Sequence, residues 1–508
     1  MTNFNLYAAF REAFPPDLGD CAIEIEGPRY WSWDDIERGS AKLANLMCDS
    51  GALPGSRIAV QVEKSVEALV LYLACVRAGL VYLPLNTAYR EGEIDYFLGN
   101  AEPDVVVCSP ENFSWLSKIA FRYRALHVFT LDADGLGSLI ERAAAKSDIF
   151  KTLLSGQDEL AAILYTSGTT GRSKGAKLTH GNLLSNAEVL KTAWGWQRSD
   201  VLLHTLPLFH VHGLFVAAHG ALIAGAKMIF RARFDAHEAV GLLPRATVFM
   251  GVPTYYVRLL ADPDFNAGCC KNMRLFLCGS APLLSETFDA FQARTGHTIL
   301  ERYGMSETAM LTSNPYDGER LAGTVGQALP GVMVRVVDDD GKDCPVGHIG
   351  HIQVQGPNVF AGYWRMPEKT AEEFTSDAFF KTGDMGKWLK IDHLPLPYLS
   401  IVGRSKDLII TGGYNVYPKE IEAVIDDLPG VAESAVIGIA HPDFGEAVTA
   451  VVVAREGVEI EESILLAALK AKIANFKVPK RIHVVAELPR NTMGKVQKNL
   501  LREKFSAT

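Results

Sequence analysis

Residues 160–175 read LAAILYTSGTTGRSKG, an apolar run followed directly by a polar, glycine-rich segment. The apolar part, LAAILYT (160–166), has the length and composition of a buried strand. The polar part, SGTTGRSKG (167–175), has three glycines, four hydroxyl groups, an arginine and a lysine. Glycines let backbone N–H groups converge on an anion, and a strand leading into such a loop is typical of polyphosphate sites. In an isolated loop of this composition a flexible surface turn is the commoner structure, so both interpretations stay open here.

The loop does not fit the Walker pattern, G-x-x-x-x-G-K-[ST]. Counted from Gly168 the sixth position is Ser173, and counted from Gly171 it is Ala176. A nucleoside triphosphatase of the Walker type is therefore disfavoured.

Composition and charge are those of an ordinary globular protein. The chain has 508 residues, of which 48% are hydrophobic and 21% charged, with a formal net charge of −9. A negative net charge gives no support for a nucleic-acid-binding surface. The N-terminus lacks the apolar core of a signal peptide, and no apolar run is long enough to span a membrane. With eight scattered cysteines and no CxxC pair, we expect a cytoplasmic protein with reduced thiols and no membrane partner.

Apolar runs alternate with helix-like stretches along most of the chain. RIAVQV (57–62), SVEALVLYLACVRAG (65–79) and DVVVCS (104–109) are one example. This alternation predicts an α/β fold in which crossover helices connect the strands of parallel sheets.

The C-terminal part of the chain has a different pattern. Pro418 is expected to open a helix, which is followed by strands at 433–440 and 448–454. A second amphipathic helix is predicted to bury one face, made of Ile460, Ile464, Ala467, Ala468 and Ala471. We place a boundary near residue 405, which gives domains of 1–405 and 406–508, the second a small α+β unit.

Several motifs together resemble those of the adenylate-forming superfamily, which includes acyl-CoA synthetases, peptide-synthetase adenylation domains and luciferases. The first is YTSGTTGRSKGA (165–176), which resembles the phosphate-loop signature. The others follow in the family's order and are PLFHVHG (207–213), GSAPL (279–283), ERYGMSET (301–308), KTGD (381–384), GRSKDLIITGGYNVYPKEIE (403–422) and PRNTMGKVQK (489–498). The resemblance implies a large N-terminal domain of several subdomains, with mixed sheets flanked by helices, and a small mobile C-terminal domain.

Two stretches depart from the family's pattern. Ser173 stands where the family often has proline, which should loosen the phosphate loop. The stretch WLKIDHLPLPYLS (388–400) is longer than the tight turn that usually precedes the GR dipeptide.

The resemblance implies a two-step reaction with ATP, Mg²⁺ and coenzyme A. A carboxylate and ATP give an acyl-adenylate and pyrophosphate, and a thiolate then displaces AMP. Glu307 is expected to bind Mg²⁺, a hard cation that prefers oxygen ligands. Lys495 is expected to bridge the carboxylate and the α-phosphate, and family lysines at this place are also targets of acetylation. Outside a matched motif, Glu307 would be read as a solvated acid and Lys495 as a surface lysine.

The resemblance also assigns the remaining nucleotide contacts. Thr166, Ser167, Gly168, Thr169, Thr170, Gly171 and Lys174 should hold the β- and γ-phosphates, and Ser306 the α-phosphate. The adenosine should meet Tyr303, Asp384, Arg404, Ser280 and Ala281. In the second step the C-terminal domain is expected to rotate about Lys406, so that Gly412 and Gly413 border the CoA tunnel. The plain alternative for Gly413 is a turn glycine.

Arg302 is the residue that bears on the identity of the acid. In relatives that use monocarboxylates its position is commonly a small or neutral residue beside the acyl pocket. A buried, unpaired charge is costly, whereas a guanidinium binds a carboxylate bidentately, so Arg302 predicts a substrate with a second carboxylate. His210 is a further candidate contact. The alternative for Arg302 is a salt bridge to Glu301 or another acid, and a metal site at His210 and His212 lacks further ligands.

The chain as a whole is most similar to malonyl-CoA synthetases, which implies a malonate–CoA ligase that acts on small molecules. Methylmalonate differs by one methyl group, which a pocket discriminates by only about 1–3 kcal/mol, so it and other short dicarboxylates remain alternatives. A carrier-protein thiol acceptor and a non-catalytic nucleotide-binding relative are less favoured.

Overall fold

Strands of the computed structural model form four sheets. The structure describes residues 3–166, 173–411, 414–441, 445–473, 475–491 and 494–506. The strands are β1 Cys21–Glu24, β2 Tyr30–Ser32, β3 Arg57–Gln61, β4 Val81–Pro84, β5 Val105–Cys108, β6 His127–Thr130, β7 Leu160–Thr166, β8 Lys174–Thr179, β9 Val201–His204, β10 Lys227–Phe230, β11 Val248–Gly251, β12 Leu275–Cys278, β13 Leu300–Met305, β14 Ala309–Ser313, β15 Gln327–Ala328, β16 Met333–Val337, β17 Gly350–Gln355, β18 Phe380–Leu389, β19 Tyr398–Arg404, β20 Ile409–Thr411, β21 Tyr414–Val416, β22 Val431–His441, β23 Gly445–Ala454 and β24 Arg481–Val485.

Helices cover the sheets and connect their strands. The α-helices are α1 Leu6–Ala13, α2 Trp33–Asp49, α3 Val66–Arg77, α4 Glu91–Ala101, α5 Phe113–Arg122, α6 Ser138–Ala144, α7 His180–Ala193, α8 His219–Ala224, α9 Ala236–Leu242, α10 Pro253–Ala261, α11 Ser285–Thr295, α12 Pro367–Glu373, α13 Pro418–Asp426, α14 Glu462–Lys472 and α15 Lys498–Phe505. A π-helical segment spans His212–Ala218, and short 3-10 turns span Pro110–Asn112, Leu243–Arg245 and Ser405–Asp407.

Two large mixed sheets form most of the N-terminal part. One has nine strands in the order β15-β14-β13-β12-β11-β9-β10-β1-β2, and the other has six in the order β6-β5-β3-β4-β7-β8. Their central strands are parallel, while β8, β14, β15 and β2 pair antiparallel at the edges. The parallel strands are short apolar runs because helices cover both of their faces. The α/β fold with mixed sheets is therefore confirmed.

A four-stranded antiparallel sheet, β16-β17-β18-β19, follows the two large sheets. The unusual stretch 388–400 lies within its β18–β19 hairpin, where Leu389 pairs with Tyr398. The additional residues extend this hairpin at its tip. At the other end of the hairpin Asp384 pairs directly with Arg404, so the longer segment leaves that end of the ladder intact.

The C-terminal residues form a five-stranded sheet with helices and a core of its own. The order is β21-β20-β23-β22, with β24 beside β23. The core contains Ile409, Ile421, Val436 and Val448, all of them buried. The two strands and the helix at Pro418 that the sequence predicts are confirmed. The 3-10 turn at Ser405–Asp407 connects this unit to β19, at the place where we expect the domain boundary.

The predicted buried face of α14 is wrong. Leu465 and Leu469 are buried against the C-terminal core, whereas the side chain of Ile464 is 63% exposed. The helix begins at Glu462, so Ile460 precedes it and contributes to the core from the preceding loop. The apolar spacing of Ile460 and Ile464 therefore did not mark one helix face.

All eight cysteines lie in the described part of the chain, and each is a free thiol, as the sequence predicts. Among the described residues, the helices are all too short or too polar to cross a membrane.

Replacement of Leu465 by alanine is expected to destabilise the C-terminal unit by about 2–4 kcal/mol, because it empties a packed site. Ile464→Ala, one residue away on the exposed face, should change stability by less than about 0.5 kcal/mol. The measurement is hydrogen exchange of the β22 and β23 amides under native conditions. Equal losses in the two variants would contradict the observed face.

Candidate active site

Several predicted site residues lie at or just after the carboxyl ends of strands in the two large sheets. Thr166 ends β7, Ser280 follows β12, and the turn that contains Ser306 and Glu307 follows β13. His210 lies between β9 and the buried π-helical segment. The carboxyl ends of parallel strands are where ligands bind in α/β sheets, and π-helical segments are frequent at functional sites. The two large sheets thus bring motifs from distant parts of the sequence to one cleft, where Thr166 contacts Glu307.

Asp384, Tyr303 and Arg404 form one connected group. The Tyr303 hydroxyl donates to Asp384 Oδ2 at 2.6 Å, and Arg404 Nε lies 3.0 Å from Asp384 Oδ1. The backbone N–H of Asp384 donates to the Thr382 hydroxyl at 3.1 Å. Asp384 is buried and fixed from three sides. A carboxylate oriented in this way is suited to accept hydrogen bonds from the two hydroxyls of a ribose.

Glu307 is a buried carboxylate held by hydroxyl groups. The Tyr363 hydroxyl donates to Glu307 Oε1 at 3.2 Å, and the Thr166 hydroxyl lies 3.5 Å from the same atom. Burial raises the pKa of Glu307, and the Tyr363 hydrogen bond opposes that rise. An oxygen ligand oriented by a second residue fits a Mg²⁺ ion bound together with phosphate oxygens.

The phosphate loop is described only at its two ends. Ser167, Gly168, Thr169, Thr170 and Gly171 lie outside the described residues. Lys174, at the start of β8, lies 3.2 Å from Glu373 and above the ring of Tyr363. The Lys174 ammonium therefore pairs with Glu373 in this structure, and a phosphate would compete with this carboxylate for the ammonium.

Arg302 is buried with one whole edge of its guanidinium unpaired. Its side chain is 4% exposed, and neither Nε nor Nη2 has a hydrogen-bond partner within the described part of the chain. These two N–H groups point the same way and form the edge that binds a carboxylate bidentately. Burial lowers the pKa of Arg302 to about 10, and the nearby Cys278 and Tyr256 oppose this shift.

The alternative salt bridge between Arg302 and Glu301 is wrong. The two residues are neighbours on β13, and successive side chains of a strand point to opposite faces. Glu301 instead accepts a hydrogen bond from the Gly323 N–H at 3.3 Å. Burial raises the pKa of Glu301 to about 7, and the nearby ammonium of Lys419 opposes that rise.

Gly279 provides the space that Arg302 occupies. A Cβ added to Gly279 would lie 2.0 Å from Nη1 and 2.4 Å from Cζ of Arg302. A larger residue at position 279 would therefore displace the guanidinium. Sequence reasoning quoted GSAPL for its family position and missed this contact, which only the fold brings about.

His210 and His212 line the same cleft as neutral rings. The backbone N–H of His212 donates to His210 Nδ1 at 3.2 Å. Because Nδ1 is the acceptor, the proton of the neutral His210 ring lies on Nε2. Burial, and then the charges of Arg302 and Lys495, lower the pKa of His210 to about 4. His212 is buried, its Nδ1 lies 3.2 Å from the Ser280 hydroxyl, and its Nε2 has no partner among the described residues. His212 is thus a second candidate contact, which the sequence raised only as part of a disfavoured metal site.

Lys495 reaches this cleft from the C-terminal unit. Partial desolvation, and then the positive charge of Arg404, lower the pKa of Lys495, while Asp384 opposes the shift. The preceding Gly494 lies against Thr254 at the start of α10. Lys495 therefore lies near Asp384 and Arg404 and close enough to His210 to influence its pKa.

Comparison with protein families gives two matches along the chain. Residues 16–364 match the AMP-binding enzyme family, and residues 420–495 match the AMP-binding enzyme C-terminal domain. Together they cover most of the chain, including Arg302, Glu307 and Lys495, while Asp384 and Arg404 lie between the two matched ranges.

Two relatives of known name align with nearly the whole chain. Malonate–CoA ligase from Arabidopsis thaliana is 32% identical over 98% of this chain and 89% of its own length. Malonate–CoA ligase ACSF3, mitochondrial, from Mus musculus is 36% identical over 90% of this chain and 83% of its own length.

Solved structures of MatB from Rhodopseudomonas palustris are similar throughout. The ATP-bound crystal structure has a TM-score of 0.96 at 54% identity and covers 99% of both chains. The apo crystal structure has the same identity and coverage with a TM-score of 0.85. The present structure is thus closer in shape to the ATP-bound form.

Asp384→Asn is expected to weaken ATP binding about tenfold or more, because hydrogen bonds to a charged group contribute about 1.5–3 kcal/mol. The measurement is isothermal titration with ATP. Asp377→Asn is the matched control, since Asp377 is an exposed carboxylate paired with Arg335. Equal affinities in the two variants would contradict the role of Asp384.

Proposed function

Because the chain belongs to the AMP-binding enzyme family, we propose that it is an ATP-dependent malonate–CoA ligase. It converts malonate, ATP and CoA into malonyl-CoA, AMP and pyrophosphate. In the first half-reaction a malonate oxygen attacks the α-phosphorus of ATP and pyrophosphate leaves. In the second, the CoA thiolate attacks the acyl carbon and AMP leaves. The malonate–CoA ligases among its relatives support this reaction.

The single observation that carries the choice of acid is the unpaired edge of Arg302. A guanidinium out of water without a counter-ion is costly, and a substrate with a second carboxylate removes that cost on binding. The neutral rings of His210 and His212 add hydrogen-bonding groups without a competing negative charge. A plain alkyl acid would leave the guanidinium unpaired, so the site favours a short dicarboxylate.

The residues proposed for the first half-reaction have different roles, which follow from their charges. Asp384 would hold the ribose, with Tyr303 and Arg404 fixing its orientation. Glu307 would bind Mg²⁺, which neutralises phosphate charge when bound. Lys495, whose ammonium lies near Asp384 and Arg404, would stabilise the negative charge that develops between the carboxylate and the α-phosphate. Ser306 and the phosphate loop complete the proposed contacts.

The second half-reaction needs a different position of the C-terminal unit. In this structure Lys419 Nζ donates to the Ile401 carbonyl at 3.0 Å, and Arg455 pairs with Glu286 of α11 at 2.8 Å. We propose that rotation at Lys406, in the 3-10 turn, breaks these contacts and withdraws Lys495. Gly412 and Gly413, the proposed border of the CoA tunnel, lie outside the described residues.

Two further proposals concern the protein in the cell. Lys495 is exposed at its surface in this structure, which is compatible with acetylation, and acetylation would remove the charge that the first step needs. A cytoplasmic location is the second, and cell fractionation tests it.

The substrate assignment is tested by AMP release in the presence of ATP and CoA with acetate, malonate, methylmalonate and succinate. Malonate should give the highest kcat/KM, with methylmalonate within about 10–200-fold because one methyl group contributes about 1–3 kcal/mol. A preference for acetate would reject the dicarboxylate assignment.

Arg302→Ala should reduce kcat/KM for malonate by roughly 30-fold or more, since loss of one partner of a buried charge pair costs about 2–5 kcal/mol. Acetate, which has no distal carboxylate, should lose little. Arg198→Ala removes an exposed arginine that donates to the Ala13 carbonyl and serves as the control. Unchanged selectivity in Arg302→Ala would remove the basis for the choice of malonate.

Lys495→Ala should abolish malonate-dependent pyrophosphate release but leave the reaction of supplied malonyl-adenylate with CoA largely intact. The reason is that Lys495 acts only while the C-terminal unit is in the present position. Separate assays of the two half-reactions measure this. If both rates fell equally, the two-position account would be wrong.

A further inference from the structure

Lys495 is carried by a short hairpin in which the described backbone is tightly bonded. Gln497 N–H donates to the Pro489 carbonyl at 2.8 Å, and Asn491 N–H donates to the Lys495 carbonyl at 2.9 Å. The Lys495 N–H donates to Asn491 Oδ1 at 3.0 Å. Gly494 has a φ of +71°, a conformation that glycine adopts readily. The position of the Lys495 backbone thus depends on how the hairpin is attached to the domain.

Arg490 attaches this hairpin to the C-terminal sheet. Its Nη1 donates to the Gly494 carbonyl at 2.5 Å, and its Nη2 forms an ion pair with Glu433. Glu433 lies on β22, which pairs with β23 along nearly its whole length. One guanidinium therefore connects a rigid strand with the residue immediately before Lys495.

A second ion pair anchors the chain just after the hairpin. Lys498 Nζ lies 2.5 Å from Glu422 Oε1, and the Val436 N–H donates to the same oxygen at 2.8 Å. Glu422 belongs to α13, which packs against β22. Both ends of the segment that carries Lys495 are thus held by acids of the C-terminal core, and Arg490 also donates to the Gly494 carbonyl.

We propose that Arg490, held by Glu433, is a positioning residue for Lys495 in the adenylation half-reaction. The inference rests on the proposed function, because it concerns the step in which Lys495 acts. Arg490 itself touches no reacting atom. Arg490 holds the Gly494 carbonyl at a fixed distance from β22. This distance determines the position of the Lys495 backbone, from which the side chain extends.

The expected effect is large on rate and small on stability. Arg490 and Glu433 are about a third exposed, and such ion pairs contribute little to folding. A misplacement of about 1 Å can nevertheless lower a rate roughly 100-fold. Lysine at position 490 could bond one of the two acceptors but could not span both as the planar guanidinium does.

The experiment compares the full-length wild type with Arg490→Gln, Glu433→Gln and Arg490→Lys in the two half-reactions. Arg490→Gln should lower kcat for malonate-dependent pyrophosphate release at least tenfold. KM for ATP should stay within about twofold, because most of the proposed ATP contacts belong to the N-terminal domain. The reaction of supplied malonyl-adenylate with CoA should also stay within twofold. Glu433→Gln and Arg490→Lys should fall between Arg490→Gln and the wild type.

Arg481→Gln is the matched control, since it removes an exposed arginine of β24 in the same domain. It should behave as the wild type in both assays. The proposal is overturned if Arg490→Gln matches this control, or if both half-reactions fall together, as a purely structural role would require. Should Arg490→Gln fail to fold, the milder Glu433→Gln decides by the same criteria. Absence of malonate activity in the wild type would instead reject the proposed function.

Discussion

The buried guanidinium of Arg302, one edge of which has no partner among the described residues, is the constraint on which the proposed site depends. Strand geometry sends Glu301 to the opposite face of β13, so the neighbouring acid cannot neutralise Arg302. Gly279 leaves the space for the side chain, and the neutral His210 and His212 line the cleft without supplying a negative charge. The free-energy cost of burying this unpaired charge is offset only when an anion binds to the guanidinium. On the proposed function, the protein therefore carries a preference for a charged substrate before that substrate binds.

The second constraint is that Lys495, the proposed catalytic lysine, comes from another unit. Asp384 and Glu307 are buried and fixed by neighbours within the N-terminal part, whereas Lys495 is held in place through a hairpin and a small number of polar contacts. Polar contacts such as the Arg455–Glu286 pair are weak individually, which suits an interface that has to open once in each catalytic cycle. The greater similarity to the ATP-bound than to the apo form of MatB agrees with a closed first-step arrangement.

The alternation of apolar and helix-like runs was sufficient to predict the α/β fold, and the apolar pattern near the C-terminus predicted the α+β unit. The resemblance of the ordered motifs to those of the family indicated the side chains of the cleft. These features depend on local patterns and on the carboxyl ends of strands. Three features depend on contacts between residues far apart in the chain, which one sequence does not specify. They are the role of Gly279, the His212 nitrogen that has no partner among the described residues, and the link from Arg490 to Glu433. The buried face of α14 was predicted wrongly because Ile460 precedes the helix. The spacing between Ile460 and Ile464 therefore does not place them on one helix face.

The most direct test of the central claim is a crystal structure with malonyl-adenylate bound. We predict that the two distal carboxylate oxygens lie about 3 Å from Nε and Nη2 of Arg302, one oxygen on each nitrogen. Distal oxygens held by other groups, with the Arg302 edge still unpaired or turned away, would contradict the account.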